Sequence, residues 1–273
     1  MPKSRNHNLI LGCAITFFMV ALIILGFFWT PYEPGAMSSA ERMDGPSLAH
    51  IMGTDNFGRD IFSRVLEGAG STMLIAAATV CAGLIVGILV GAFTGYFGGW
   101  LDEVLMRIAD VITAFPSILM AMVLVSLLGT GKYNIILALS ILFVPSFARV
   151  VRSEFAKQKQ LDYVRSARLM GAGHLRIMFV HILPNVMPVV LSTVAIGFNN
   201  AVLAEASMSF LGIGVSVTEP SLGRMLSESQ SYLYRTLVSP LHRLHHSTAH
   251  PRLRPHFRRT GRQKRCLISK ISV

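Results

Sequence analysis

The chain has 273 residues, of which 52% are hydrophobic and only 14% are charged, and its mean hydropathy is +0.54. A single soluble core of this length could not bury so much apolar surface, so the composition excludes an ordinary globular protein. The net charge of +11 is concentrated at one end, because residues 235–273 hold eight arginines, two lysines and no acid.

Five windows are apolar enough to cross a membrane. About 20 apolar helical residues span a hydrocarbon core of about 30 Å. The windows are 9–29 and stretches within 71–100, 105–128, 133–151 and 186–211. We expect helices, because a lone strand in lipid would leave its backbone polar groups unpaired. The predicted fold class is therefore all-α, a polytopic bundle of transmembrane helices.

The first window follows Lys3 and Arg5, as the apolar stretch of a signal peptide would. It is too long for one, however, and no small-residue cleavage pattern follows it. Trp29 and Tyr32 suit an interfacial aromatic belt. We interpret this window as an uncleaved span.

Charge asymmetry predicts the orientation of the spans. Segment 151–183 carries six basic residues and two acids, whereas segment 31–70 carries three arginines and six acids. Basic segments stay on the cytoplasmic side of a membrane. The first segment is therefore predicted to be cytoplasmic and the second external.

Several small and cyclic residues within the windows predict features of helix packing. Glycines at every fourth position of the second window indicate close helix contact, and prolines in later windows indicate kinks. These residues are Gly83, Gly87, Gly91 and Gly95, and Pro116, Pro145 and Pro188.

Arg107, Asp110 and Glu205 are charged residues inside the predicted spans. Arg107 and Asp110 are three positions apart on one helical face, close enough to pair, and Glu205 lies late in the fifth window. Charges within a bilayer usually face protein or water. They are interpreted as groups near the membrane boundary that tie helices together. The alternative is a proton relay through Asp110 and Glu205, as in an ion-coupled secondary transporter.

The basic tail, 235–273, has three interpretations. It could bind nucleic acid or anionic lipid, or it could bind metal through a cluster of histidines. Those histidines are His242, His245, His246 and His250. The predicted external location argues against the first, and nearby prolines argue against the second. The favoured interpretation is a translated wrong frame or a replaced C-terminus, so no nucleic-acid partner is expected.

No motif for catalysis or nucleotide binding is present in the sequence. The string GTGKYN at 129–134 lacks the glycine spacing and the hydroxyl of a phosphate-binding loop. Cys13, Cys81 and Cys266 are too far apart for a metal-ligand pattern, and no GxSxG motif occurs. We therefore expect no enzyme activity, no metal site and no cofactor in this chain.

The string LDYVRSARLMGAGHLRIMFVHILPN, 161–185, resembles the EAA loop of ABC importer permeases. Ala167, Gly171, Leu183 and Pro184 match that pattern, while Arg165 and Ser166 replace its glutamate and first alanine. The acid-Tyr-Val at 162–164 and the ending HILPN are typical of the dipeptide, oligopeptide and nickel branch.

The residue types in this loop predict a short helix, a turn and a second helix. Asp162 favours the positive end of a helix dipole, Ala167 is small enough to let a partner approach, and Gly171 can end the helix in a left-handed turn. The resemblance implies that the loop engages an ATPase. The coupling residues it implies are Asp162, Ala167, Arg168, Gly171, Leu183 and Pro184. From spacing alone, a basic loop that contacts lipid phosphates remains the alternative.

Two further strings extend the resemblance over roughly residues 9–233. MGTDNFGRDIFSRVLEGAGSTMLIA, 52–76, looks like the GTDxxGRDxxSRxxxGxRxSL motif of the second-type peptide permease, although Gly70 replaces the usual arginine, and Thr72 and Met73 replace the serine and leucine. LAEASMSFLGIGV, 203–215, looks like the end of that family's penultimate span.

The resemblance divides the chain into three predicted parts. Residues 1–68 form the first span and an external segment, 69–234 form the permease core with the EAA loop at 152–184, and 235–273 form the aberrant tail. The family's last span is expected to be missing, so a poorly assembled or inactive subunit is predicted.

The resemblance also implies partners and a location. They are a second permease subunit, two cytoplasmic ATP-binding subunits and an external solute-binding protein, at a bacterial inner membrane. The implied function is import of peptides. A nickel importer of the same family, a secondary transporter and a membrane scaffold remain alternatives.

Overall fold

The computed structural model describes residues 3–216 and 219–232. Within these ranges the regular secondary structure is helical with no strand, while residues 29–60 form turns and bends and an isolated bridge between Thr54 and Asp60. The helices are α1 (Lys3–Phe28), α2 (Ile61–Phe97), α3 (Gly99–Thr113), α4 (Ser117–Leu128), α5 (Lys132–Gln158), α6 (Asp162–Leu169), α7 (His174–Arg176), a π-helix (Ile177–Ile182) and α8 (Leu183–Phe210). Residues 222–230 are helical as well. The all-α prediction is confirmed.

Four helical segments of the described chain are long and apolar enough to cross a membrane. They are Ile10–Phe28, Ile61–Phe97, Lys132–Gln158 and His174–Phe210. A fifth span is reached only if α3 and α4 are counted together, although they are bent by 92°. The polytopic bundle is therefore confirmed, but the third predicted window is not one helix.

Pro116 accounts for the break between α3 and α4. Proline has no N–H to donate, and it disfavours the α conformation in the residue before it, here Phe115. Its own ψ of 125° is extended. Pro145 and Pro188 lie inside α5 and α8, which continue through them.

The glycines of α2 bring it into close contact with α5, as predicted. A Cβ on Gly91 would lie 2.5 Å from the carbonyl oxygen of Ala148. A Cβ on Gly95 would lie equally close, at 2.5 Å, to the carbonyl oxygen of Arg152. The two helices thus meet backbone to backbone, which only small residues permit.

Apolar clusters of buried residues pack around this contact, among them an inner and an outer cluster. The inner cluster joins α2, α5, α6, the π-helix and α8, with Phe155, Ile177 and Met178 fully buried. The outer cluster joins α2, α4, α5 and α8 around Ile75 and Met208. By contrast, only 6% of the α1 span is buried, so α1 lies at the edge of the bundle.

An ion cluster ties the segment before α2 to the helical segment 222–230. Arg59 and Arg64 are both buried, and they contact Asp55 at 2.7 and 2.6 Å. Both arginines also contact Glu228, each at 3.2 Å. Arg224 adds a third contact to Glu228 at 3.3 Å. Asp55, Arg59 and Arg64 of this cluster belong to the 52–76 string on which part of the family resemblance rests.

Two of the three acids in that string, Asp55 and Asp60, have pKa values below the ordinary value. Burial alone would raise the pKa of Asp55, but N–H groups of Arg59 and Phe57 and the Arg59 guanidinium hold the pKa below its ordinary value. Burial opposes ionisation of Asp60 too, yet hydrogen bonds from Ser63 and from His50 lower its pKa. Asp60 accepts the Ser63 N–H at 2.7 Å and so caps α2.

The predicted division at residue 68/69 falls inside α2. The predicted tail, 235–273, with its four candidate histidine ligands, lies outside the described residues. The prediction that the last span is missing concerns the same region.

Candidate functional site

The predicted coupling segment folds as helix, turn and helix. α6 begins at Asp162, whose side chain is exposed and lies 3.4 Å from Arg165. A carboxylate in the first turn interacts favourably with the helix dipole. The structure therefore places Asp162 where the sequence predicted.

Gly171 ends α6 in a left-handed turn, which confirms the conformational prediction. Its φ is 81°, and its N–H donates to the carbonyl of Arg168 at 3.0 Å. The N–H of Ala172 donates to the carbonyl of Ala167, also at 3.0 Å. These two bonds form a Schellman motif, in which glycine adopts the left-handed position at little steric cost.

Ala167 does not face outward, so the reason offered for it is corrected. Ala167 is 4% exposed, and it lies with the fully buried Val164 in the inner cluster with Ile177 and Met178. Its small side chain lets α6 approach the π-helix of the same chain. Ala167 therefore fixes the position of α6 on the bundle.

The opposite side of α6 presents apolar side chains to its surroundings. Leu169 is 89% exposed and Met170 is 82% exposed. Leu161, just before α6, and Leu175, in α7, are exposed as well. We call these four residues the outer face of α6. Groups of exposed apolar residues mark interaction surfaces. Sequence analysis missed this face. A signal for it was present, because Leu169 and Met170 lie directly before Gly171 and do not share the helical face of the buried residues 164 and 167.

Arg168 links α6 to the inner end of α2. Its guanidinium lies 3.4 Å from the Tyr96 hydroxyl, which in turn lies 2.9 Å from Nδ1 of His174. Leu183 is partly buried against the inner cluster, whereas Pro184 is exposed at the start of α8. All six predicted residues thus lie on one packed unit, but they do not share one surface.

A π-helix joins the turn after α6 to α8. Pro184 and Pro188 lack the N–H groups that would continue an α-helical ladder, and residues 177–182 before them adopt the wider π form. Ile182 is fully buried there. The π-helix is therefore held by packing rather than free to rotate.

A cavity of about 430 Å³ opens between α4, α5 and α8. Its lining combines apolar side chains with hydroxyl and amide groups, and none of its lining residues is charged. The polar members are Ser117, Ser146, Thr193, Asn200 and Ser207. Asn199 and Asn200 are exposed on α8. An amide group that faces lipid without a hydrogen-bond partner is energetically unfavourable. This side of α8 is therefore better placed against protein or water than against lipid.

The charged residues inside the predicted spans are arranged differently from the prediction. Asp110 pairs with Arg149 of α5 at 3.0 Å and not with Arg107, because the bend after α3 brings that helix against α5. Arg149 also donates to Thr113 at 2.6 Å. Asp110 thus ties two helices together.

Glu205 is completely buried and accepts a hydrogen bond from Ser209 at 2.7 Å. Its other carboxylate oxygen has no partner among the described residues. Glu205 therefore lies inside the bundle next to Ala204, which lines the cavity, and its place near the membrane boundary stays a prediction.

Comparison with known proteins places the chain among transport components. The sequence profile of a family described as "binding-protein-dependent transport system inner membrane component" matches residues 87–240. That range contains α3 to α8, the coupling segment and the cavity.

Individual relatives match over more of the chain. The glutathione transport system permease protein GsiD of Pectobacterium atrosepticum is 36% identical over 83% of this chain and 76% of its own length. The dipeptide transport system permease protein DppC of Alkalihalophilus pseudofirmus is 35% identical over 84% of this chain and 75% of its own length. GsiD of Salmonella paratyphi A is 44% identical over 78% of this chain and 72% of its own length.

Proposed function

Because this chain belongs to the family of inner-membrane components of binding-protein-dependent transport systems, we propose that it forms part of a peptide importer driven by ATPases on separate chains. The outer face of α6 is the observation that carries the proposal. It exposes apolar side chains on a helix whose other side is buried in the bundle. Such a helix can bind a partner and pass the movement of that partner to the spans.

The proposed complex has the partners that the family resemblance implies. Two ATP-binding subunits dock on the cytoplasmic loops, a second permease subunit completes the pathway, and an external solute-binding protein delivers the substrate. The exposed amides of Asn199 and Asn200 support the second subunit, because that side of α8 is better covered by protein or water than by lipid. The proposed location is the inner membrane of a bacterium.

Peptides are the proposed substrates. The relatives named above are permeases for glutathione and for dipeptides. The cavity offers uncharged hydroxyl and amide groups, which match the donors and acceptors of a peptide bond. The alternative of nickel is less favoured at this cavity, because nickel prefers imidazole or thiolate ligands and the lining has neither.

The six coupling residues have different proposed roles. Asp162 and Gly171 define the two ends of α6, Ala167 seats α6 on the bundle, and Arg168 connects it to α2 through Tyr96. Leu183 and Pro184 connect the segment to α8. Contact with the ATPase itself is assigned to the outer face.

The test is co-purification of the ATP-binding subunit with a Met170→Glu variant, with all subunits expressed together. A buried carboxylate without a partner is costly at an apolar interface, so we expect the variant to retain little ATPase. Leu226→Glu is the matched control, because Leu226 is 63% exposed in the segment predicted to be external. Equal recovery of the ATPase with Met170→Glu and with the control would contradict the proposal.

The energy source separates the proposal from a secondary transporter. Uptake of a radiolabelled dipeptide by vesicles that contain the complex should stop when ATP is depleted. It should continue when the proton gradient is collapsed. The opposite pattern would favour the proton relay through Asp110 and Glu205.

A further inference from the structure

A second cavity lies at the edge of the bundle, away from the proposed transport route. It has a volume of about 410 Å³ and opens between α1, α2 and the start of α5. Its lining includes the aromatic side chains of Phe27 and Trp29, the acid Glu67 and the base Lys132. Aromatic rings and a carboxylate together are the chemistry that recognises an organic cation.

Glu67 has no ion pair in the described part of the chain. Lys132, its neighbour in the lining, is already paired with Glu219 at 3.4 Å. Because Lys132 is paired with Glu219, Glu67 is the carboxylate of the lining left without an ion pair among the described residues. The cavity therefore favours a positively charged group.

The cavity lies at the membrane boundary. α2 has 37 residues and is about 55 Å long, longer than a hydrocarbon core of about 30 Å. Glu67 is the last charge before a charge-free run that extends from residue 68 to 101. The charge-free run of α1 ends close to the same cavity, beyond Trp29. Both helices therefore reach the polar headgroup region there.

The crevice also opens toward lipid. α1 is at the edge of the bundle, and Phe28 is 87% exposed. Leu74, one of the lining residues, is 48% exposed on α2 below Glu67. An acyl chain can lie along these side chains while its headgroup reaches the acid.

We propose that this cavity binds the headgroup of a phospholipid with a primary ammonium, phosphatidylethanolamine, through an ammonium–carboxylate contact with Glu67. Trp29 and Phe27 line the ammonium site. Lys132 lies where it can approach the phosphate of the same headgroup. The lipid fills the crevice between α1 and α2 and holds the peripheral α1 against the bundle.

The test is native mass spectrometry of the purified full-length chain, titrated with palmitoyl-oleoyl lipids that differ only in headgroup. We expect phosphatidylethanolamine to bind about tenfold more tightly than phosphatidylglycerol, as one charge-assisted hydrogen bond allows. Phosphatidylcholine should be intermediate, because its quaternary ammonium has no N–H to donate. Equal binding of phosphatidylethanolamine and phosphatidylcholine by the wild-type chain would overturn the proposal.

Variants assign the preference to this cavity. Glu67→Gln should lose the preference for phosphatidylethanolamine. Glu103→Gln, the same change at an exposed glutamate of α3, should retain it. A preference that survives in Glu67→Gln would show that the lipid binds elsewhere.

A third variant keeps Glu67 and fills the cavity instead. Gly70 lines the cavity three residues after Glu67, so an arginine there can pair with the acid on one helical face. A Cβ at Gly70 lies 3.2 Å from the Phe27 ring, which has only to shift slightly. Gly70→Arg should therefore abolish the headgroup preference, and an unchanged preference would count against the assignment.

Discussion

Replacement of Gly91 by alanine tests the contact between α2 and α5, on which the bundle is built. The new methyl group would lie 2.5 Å from the carbonyl oxygen of Ala148 and 2.7 Å from Cβ of Val151. Ordinary contact begins at 3.4 Å, so the helices must separate by about 1 Å. A backbone carbonyl cannot rotate away as a flexible side chain can.

The expected cost follows from two opposing effects. Overpacking of a close contact costs about 1–3 kcal/mol, and exchange of glycine for alanine in a helix returns up to about 1 kcal/mol. We therefore expect Gly91→Ala to lower the free energy of unfolding by up to about 2 kcal/mol. Lipid cannot fill so narrow a gap, so the loss should not depend on the detergent or lipid used.

The assay is unfolding of the purified chain in mild detergent by titration with a denaturing detergent, followed by circular dichroism. Gly12→Ala is the matched control, since Gly12 lies inside α1 and a Cβ there would have no neighbour within 4 Å. The control should be as stable as the wild-type chain or more so. Equal stability of Gly91→Ala and Gly12→Ala would refute the reasoning.

Three further predictions concern the ends of the bundle. Gly171→Arg should lower the free energy of unfolding by about 1 kcal/mol, because an L-residue would occupy a left-handed conformation. The amount of co-purified ATPase should fall. Gly173→Arg is the control, since φ there is −69°, and it should leave the ATPase bound. The pKa of Asp55 is lowered on folding, so its stabilising effect should be complete above its unfolded value near 3.8 and lost as pH falls through the folded pKa. Unfolding curves of Asp55→Asn measured against pH should lack that acid-dependent part, and an identical pH profile would contradict the role of the ion cluster. A double-mutant cycle on Asp110 and Arg149 should give a coupling of up to about 1 kcal/mol, as for exposed pairs, whereas no coupling would mean that this ion pair contributes nothing.

Hydropathy predicted the helical class and the regions of the spans, because the length of an apolar run is a local property. It could not predict that the third window bends by 92°, since hydropathy records composition and not direction. Pro116 breaks its window, while Pro145 is buried inside a continuous α5. The same residue type gives two outcomes, because packing against neighbouring helices decides whether a helix continues past a proline.

The site shows the same distinction between local and tertiary information. The left-handed turn at Gly171 follows from chemistry within five residues and was predicted. The burial of Ala167 was not predicted, because it depends on the π-helix, which lies ten residues further along the chain. The partner of Asp110 is Arg149, 39 positions away, and no spacing rule on a single helix could find it.

The packing of α6 defines how a movement at the outer face of α6 could reach the cavity. Val164 and Ala167 seat α6 on Ile177 and Met178, which lead directly into α8. α8 carries Thr193 and Asn200 into the cavity lining.

Close-packed interiors transmit displacement, because they contain few voids that could absorb it. A rotation imposed on the outer face of α6 must therefore move α8 with it or break the inner cluster. α1 contacts α2 instead, and none of its residues whose burial is described belongs to the inner cluster. Changes in the crevice beside α1, including the Glu67 variants, should therefore alter lipid preference without uncoupling ATP hydrolysis from transport.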